Sequence, residues 1–262
     1  MKVYAIIPAR YNSSRLPGKA LKEIGGRSIV VRTAVSAQKC SLINEVWVAT
    51  DDDRIYKNCK EHDVNVLMTR SDHATGTDRL TEAAFILSDK NTEACFINVQ
   101  GDEPFIEPEV IDNVARCVLS GHPVVSAMAK ITCEQDLSSP NVTKVVVDKE
   151  GYAMMISRHP IPFVKEGCDD TQRYRQLGVF GFHKDMLMQF NSLEQGPIEK
   201  AESIEFLRFL EARVPVKMVC VETDSIAIDT PDDLTRAIRA YSLNISKSEN
   251  IIDHNQKKRQ ND

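Results

Sequence analysis

Short apolar runs alternate with amphipathic stretches along the first part of the chain. Residues 3–8, 45–49, 65–68 and 94–98 are compact apolar runs bounded by polar or turn residues, which predicts buried strands. Between them, residues 28–38, 54–61 and 78–88 place apolar side chains three and four apart, which predicts helices. Strand, helix, strand at this spacing predicts right-handed crossovers, hence an α/β fold: a mostly parallel, Rossmann-like sheet with helices on both faces. Ligands of such sheets bind beyond the carboxyl ends of the strands. The segments after Pro8, Ala49, Met68 and Asn98 are therefore the places to look for chemistry.

The pattern changes over residues 124–182. Runs at 142–147 and 152–157 flank Asp148-Lys149-Glu150-Gly151, which predicts a hairpin with a four-residue loop. Helical spacing returns at 184–191, 198–211 and 231–241. From Ser242 the chain is polar, and residues 242–262 are expected to be a mobile tail. The organisation expected is one domain over 1–241 with a β-rich subregion embedded at 124–182.

Composition narrows the class. The chain has 262 residues, 42% hydrophobic and 27% charged, with 11 glycines and 11 prolines, which excludes fibrous and wholly disordered proteins. A net charge of −5 gives no global attraction to nucleic acid or anionic membrane. The basic cluster Lys257-Lys258-Arg259 reads as solubilising. No apolar run approaches the ~18 residues of a membrane helix, and the apolar start is too short for a signal peptide. A cytoplasmic protein is expected. The seven cysteines are scattered, without a C-x-x-C pair, so reduced, inert, partly buried thiols are expected. The histidines show no metal-binding spacing.

Three segments carry chemistry. After the first strand, Pro8-Ala9-Arg10-Tyr11-Asn12-Ser13-Ser14-Arg15-Leu16-Pro17-Gly18-Lys19 offers guanidinium forks, an ammonium, hydroxyls and backbone N–H groups, which suit a polyphosphate. It is neither a Walker loop nor a dinucleotide fingerprint, and a solvated basic loop is the competing reading. After the strand at 94–98, Gln100-Gly101-Asp102-Glu103 puts a carboxylate at a strand end beside a glycine, a suitable place for Mg²⁺, or alternatively a turn. In Ile228-Asp229-Thr230-Pro231-Asp232-Asp233, helix capping accounts for Thr230 and Asp233 but not for Asp229. Two acidic strand ends and a basic loop suggest metal-assisted nucleotidyl transfer.

These blocks, with Ala49-Thr50-Asp51, Met68-Thr69-Arg70 and Gly76-Thr77-Asp78-Arg79-Leu80, resemble the 3-deoxy-manno-octulosonate (Kdo) cytidylyltransferases, or CMP-Kdo synthetases, in order from Met1 to about Ala240. The resemblance implies a nucleotidyltransferase fold and a homodimer contacting through the β-rich excursion. It implies an enzyme that uses CTP and Mg²⁺ to make a CMP-sugar acid and pyrophosphate for cell-surface polysaccharide or lipopolysaccharide. By motif position, Arg10 and Lys19 would hold the triphosphate, with Ala9, Ser13 and Ser14 nearby. Arg70, Gly76, Thr77 and Gln100 would line the cytosine end, and Asp102 and Asp229 would be magnesium ligands. The sugar acid would lie among Arg158, Arg175, Gln176, Glu202, Glu205 and Phe206, with Arg158 as the fork for its carboxylate.

Two sugar-side segments depart from that pattern. The family's Arg-His-Leu-Gly-Ile-Tyr-Gly-Tyr is here Arg175-Gln176-Leu177-Gly178-Val179-Phe180-Gly181-Phe182, and Glu-x-Leu-Glu-Gln-Leu-Arg is here Glu202-Ser203-Ile204-Glu205-Phe206-Leu207-Arg208. Either these are neutral changes, or the same CTP chemistry serves a different acid, such as 8-amino-Kdo, another ulosonic or uronic acid, or a phosphonate. A non-catalytic nucleotide sensor on the same fold is the remaining alternative, and retention of Arg10, Lys19, Asp102 and Asp229 argues against it.

Overall fold

The structure is a computed structural model that describes residues 1–13, 15–73, 75–89, 93–168, 171–223, 225 and 227–243. Strand β1 (Lys2–Ala9) is followed by a one-turn 3₁₀ helix (Lys19–Leu21) and a small ribbon of β2 (Glu23–Ile24) and β3 (Arg27–Ser28). Then come α1 (Ile29–Ala37), β4 (Glu45–Thr50), α2 (Asp53–Glu61), β5 (Val66–Met68), α3 (Gly76–Leu87), β6 (Ala94–Val99) and α4 (Pro108–Leu119). The second half adds β7 (Val124–Lys130), α5 (Glu134–Ser138), β8 (Lys144–Val147), β9 (Ala153–Ser157), β10 (Tyr174–His183), α6 (Lys184–Ser192), α7 (Pro197–Glu202), α8 (Leu207–Glu211) and β11 (Lys217–Cys220). A last helix, α9, runs over residues 231–243.

The main sheet has the order β11-β7-β10-β6-β1-β4-β5. β1 pairs in parallel with β4 and β6, β4 with β5, and β7 with β11, whereas β10 is antiparallel to both β6 and β7. The sheet is thus mostly parallel, with helices covering both faces. β1 shows why its sequence is unbroken apolar rather than alternating: Val3, Ala5, Ile7 and Ala9 join the core shared with α1 and α4, while Tyr4 and Ile6 join the opposite core. That second core includes Phe180, Phe182, Phe190, Phe206 and Phe209, whose rings pack in a chain.

The β-rich stretch 124–182 is embedded in the sheet itself: β7 and β10 are among its central strands, and β8 and β9 extend it sideways from β10. The pattern at 198–211 is not one helix but α7 and α8, broken at Ser203, which has φ 52°. Ile204, Phe206, Leu207 and Phe209 are all buried, and the 204–206 interval does not fit a continuous helical face, so the chain turns to bury each of them. The thiols also divide: Cys40, Cys59 and Cys95 are buried, but Cys133, Cys168 and Cys220 are exposed. The tail from residue 244 onward lies outside the described residues.

Candidate active site

The carboxyl ends of β1 and β6 meet the segment leading into α9. Gly101 makes that approach possible, since a Cβ there would lie 2.9 Å from the Pro8 carbonyl oxygen. The next residue, Asp102, accepts a backbone bond from Ile228 N at 2.9 Å, which brings Asp229 alongside. The loop after β1 closes on itself through Gly18 N donating to Tyr11 O at 3.1 Å, with Gly18 at φ 66°, and delivers Lys19 at the start of the 3₁₀ turn. The Lys19 ammonium stands 2.6 Å from Asp102 Oδ2 and 3.0 Å from Asp229 Oδ1, and Arg15 Nη2 adds a 3.1 Å contact to that Asp229 oxygen. Burial alone would lower the Lys19 pKa, but the two carboxylates outweigh it and raise it above the ordinary lysine value.

Asp102 Oδ1 is buried and has no hydrogen-bond partner. A hard cation at this carboxylate pair would satisfy it, and one or two protein carboxylates completed by phosphate oxygens and water are what Mg²⁺ usually takes. The donor set therefore fits magnesium.

Two cavities flank the pair. One, of about 390 Å³, is walled by the 8–20 loop, Gly76 and the β6 end; the other, of about 290 Å³, lies between residues 141–143, β10 and the α7–α8 break. They share Gln100, Asp102, Phe180, Glu205 and Asp229. β10 shifts register against β7 between Gln176 and Phe180, and both residues line the second cavity. Within that irregularity Gly178 N donates to Glu103 Oε1 at 3.2 Å, and a Cβ on Gly178 would lie 2.7 Å from the same oxygen. Burial, reinforced by the neighbouring Asp102 charge, pushes the Glu103 carboxyl up to about 7.

Of the residues expected at the nucleotide end, Ala9, Arg10, Ser13, Lys19, Gly76 and Gln100 border the first cavity together with Asp102 and Asp229. Ser14 lies outside the described residues. Arg70 is not brought into the site: its side chain is 69% exposed and its Nε faces Asp72 at 3.3 Å. Arg10 is at the cavity wall, but its Nη2 donates to the carbonyls of His73 and Thr75 at 2.8 and 2.9 Å, so it also fastens the loop before α3. Thr77 is buried beneath the wall, and the backbone N–H groups of Gly76 and Thr77 donate to Glu205 Oε1 and Oε2, each at 3.2 Å. Burial raises the Glu205 carboxyl above the usual carboxylate range despite those bonds.

On the other side, Arg158, Arg175, Gln176, Glu205 and Phe206 line the second cavity. Glu202 does not; its carboxylate takes Ser157 Oγ at 2.6 Å and Arg158 N at 2.9 Å. Arg158, expected as the carboxylate fork, lines the cavity and is also engaged by the protein itself. Its guanidinium already donates to the carbonyls of Glu202, Pro140 and Ser203 at 2.6, 2.9 and 3.2 Å. The Arg175 side chain also lines this cavity, makes no hydrogen bond among the described residues, and lies near enough to Glu103 for its charge to act on that carboxyl. Gln176 Nε2 donates to Ser126 Oγ at 3.0 Å. Sequence reasoning missed Asn141 as a cavity residue, and nothing in the local pattern marks it; Phe180, one of the departures in the sugar-side segments, borders both cavities.

A mostly parallel sheet whose strand ends gather a basic loop and paired carboxylates between two cavities defines a nucleotidyltransferase. A family model described as cytidylyltransferase matches residues 4–238. Similar curated proteins include the 3-deoxy-manno-octulosonate cytidylyltransferases of Solibacter usitatus, 36% identical with 93% of this chain and 96% of that one covered, and Pelobacter propionicus, 39% identical with 94% and 100% covered. The chain belongs to the 3-deoxy-manno-octulosonate cytidylyltransferase family. A solved CMP:2-keto-3-deoxy-manno-octonic acid synthetase in complex with CTP superposes with a TM-score of 0.86 at 31% identity, covering 93% of this chain and all of that one. A 4-diphosphocytidyl-2C-methyl-D-erythritol synthase from Anaerococcus prevotii, at 18% identity and a TM-score of 0.61, shares the fold.

Proposed function

We propose that this protein transfers CMP from CTP to the anomeric hydroxyl of Kdo, releasing pyrophosphate. The observation that carries this reading is the Lys19–Asp102–Asp229 cluster at the boundary shared by the two cavities, where a reacting phosphate and an attacking hydroxyl would meet. CTP takes the first cavity and the sugar acid the second. Asp102 and Asp229 would hold Mg²⁺, which supplies charge neutralisation for the phosphates. Lys19 and Arg15 add positive charge where the pyrophosphate departs. Arg175 holds the acid's carboxylate so that the adjacent hydroxyl is aimed at the α-phosphorus. The protein acts in the cytoplasm, as a homodimer, in lipopolysaccharide synthesis. Phe163 and Met154, 91% and 66% exposed, supply apolar surface for the dimer contact.

The test is pyrophosphate release from CTP and Mg²⁺ with Kdo. Rapid release that disappears on chelation and returns with Mg²⁺ is expected; no release with any acid would overturn the reading.

One observation favours a second acceptor. Phe180 borders both cavities and packs on Phe206 with ring centroids 4.4 Å apart, a wall without a hydrogen-bond donor. An acid with fewer hydroxyls toward that wall would suit it better than Kdo. Faster turnover of another acid than of Kdo in the same assay would select this reading.

A further inference from the structure

Lys144 lies on β8, outside every recognised motif, yet it is a cation with 0% exposure. Its ammonium donates to the carbonyl oxygens of Ser139, Val142 and Arg158 at 2.6, 2.8 and 2.8 Å, so all three of its protons are engaged. The Arg158 guanidinium adds Pro140 O to the same grip and reaches Glu202 O and Ser203 O across the way. These two cations thereby tie together both walls of the second cavity: residues 141–143 on one side, and 203–206 on the other. The rim also touches the nucleotide side, because Asn141 Oδ1 accepts from Arg15 Nη1 at 3.4 Å.

We propose that Lys144 is a positioning residue for the acceptor cavity, holding residues 139–142 as a fixed rim against which the acid is seated. Its own chemistry does not enter the reaction. Apart from Arg158 on Pro140 O and Arg15 on Asn141, residues 139–142 are held by Ser139 N on Gln135 O at 3.0 Å, Val142 N on Ser139 O at 3.2 Å and Asn141 N on Ser139 Oγ at 3.3 Å, so Lys144 is the one group that joins Ser139, Val142 and Arg158 at a single point. An apolar residue at 144 would take this donor from the Val142 and Arg158 carbonyls and leave Ser139 O with Val142 N, and the segment would rearrange toward other donors. Burial, with the nearby Arg158 charge, holds the Lys144 pKa below the ordinary lysine value. The inference rests on the proposed function, which makes the second cavity the acceptor site.

The experiment compares the full-length wild-type protein with Lys144→Met and Pro140→Gly, the latter loosening the exposed rim without removing a buried charge. With CTP, Mg²⁺ and Kdo, both variants should raise KM for Kdo about tenfold or more and leave KM for CTP within about twofold. Backbone hydrogen exchange over 139–143 should rise in both. A lowered Tm with both KM values unchanged, or unchanged exchange over 139–143, would overturn the proposal. If Lys144→Met does not fold, Pro140→Gly decides it by the same readouts. Absence of turnover by the wild-type protein with Kdo would instead overturn the proposed function, and hydrogen exchange would still decide the rim.

Discussion

The Lys19 ammonium stands 2.6 Å from the Asp102 carboxylate, although the two residues are 83 positions apart in the chain. The same nitrogen reaches Asp229, so a lysine from the first loop lies between two carboxylates that reach it from the end of β6 and the start of α9. Opposite charges held this close, with side-chain exposures of 18% and 15%, are screened little by solvent.

Asp102→Asn keeps the shape and removes the charge. It should lower kcat for pyrophosphate release by on the order of 10²–10³ while CTP binding, measured by calorimetry, weakens far less. Lys19→Met should also lower kcat, and it should strengthen Mn²⁺ binding to the nucleotide-free protein, because the competing ammonium is gone. Unchanged Mn²⁺ affinity would argue against the contact.

The aromatic wall separates acceptor selectivity from stability. Phe206 is 2% exposed and packs on Phe180, Phe182 and Phe209, so Phe206→Gln buries an amide in a ring cluster and should lose about 1–3 kcal/mol of stability. Phe180→Tyr places a hydroxyl at the cavity with little cost to the core. If the wall discriminates against Kdo, kcat/KM for Kdo rises in Phe180→Tyr and Gln176→His; no gain would make these substitutions neutral for the acceptor.

Glu205 predicts a pH dependence of folding. Burial raises its carboxyl, so the folded protein binds more protons than the unfolded chain above the ordinary carboxylate pKa of about 4.3. Stability from this residue is therefore greatest in acid and falls as pH rises toward the raised value. Glu205→Gln cannot titrate. Denaturant unfolding at about pH 5 and about pH 8 should show the wild-type protein losing stability relative to the variant as pH rises; a constant difference would contradict the assignment.

The cysteines should react in two groups. Cys133, Cys168 and Cys220 are exposed and should be titrated promptly by a disulfide reagent. Burial pushes the Cys40 and Cys59 thiols up to about 12, and these should react only on unfolding. A rapid stoichiometry that includes Cys40 or Cys59 would mean that the turn after α1, or α2, opens in the native state.

The strands at 3–8, 45–49, 65–68 and 94–98 were legible because a strand buried on both faces must be apolar at every position, and the helices between them because one face must match the core. The carboxylates at Asp102 and Asp229 were legible as charged residues at the ends of apolar runs; helix capping left Asp229 over, while a turn stayed open for Asp102. The role of β10 was not legible. Its antiparallel place between β6 and β7 depends on pairings made with residues far away in sequence, and its irregularity at 176–180, along the wall of the second cavity, follows from those pairings and not from a local pattern. Arg158 shows the same limit from the chemical side. A guanidinium near a sugar-binding segment reads as a ligand clamp, but the three carbonyls that engage it come from two distant turns. The sequence by itself determined which groups are charged, which runs are apolar and hence the class of sheet; only the tertiary structure decided which charges meet one another, because hydrogen-bond partners are set by distances across the fold and not by spacing along the chain.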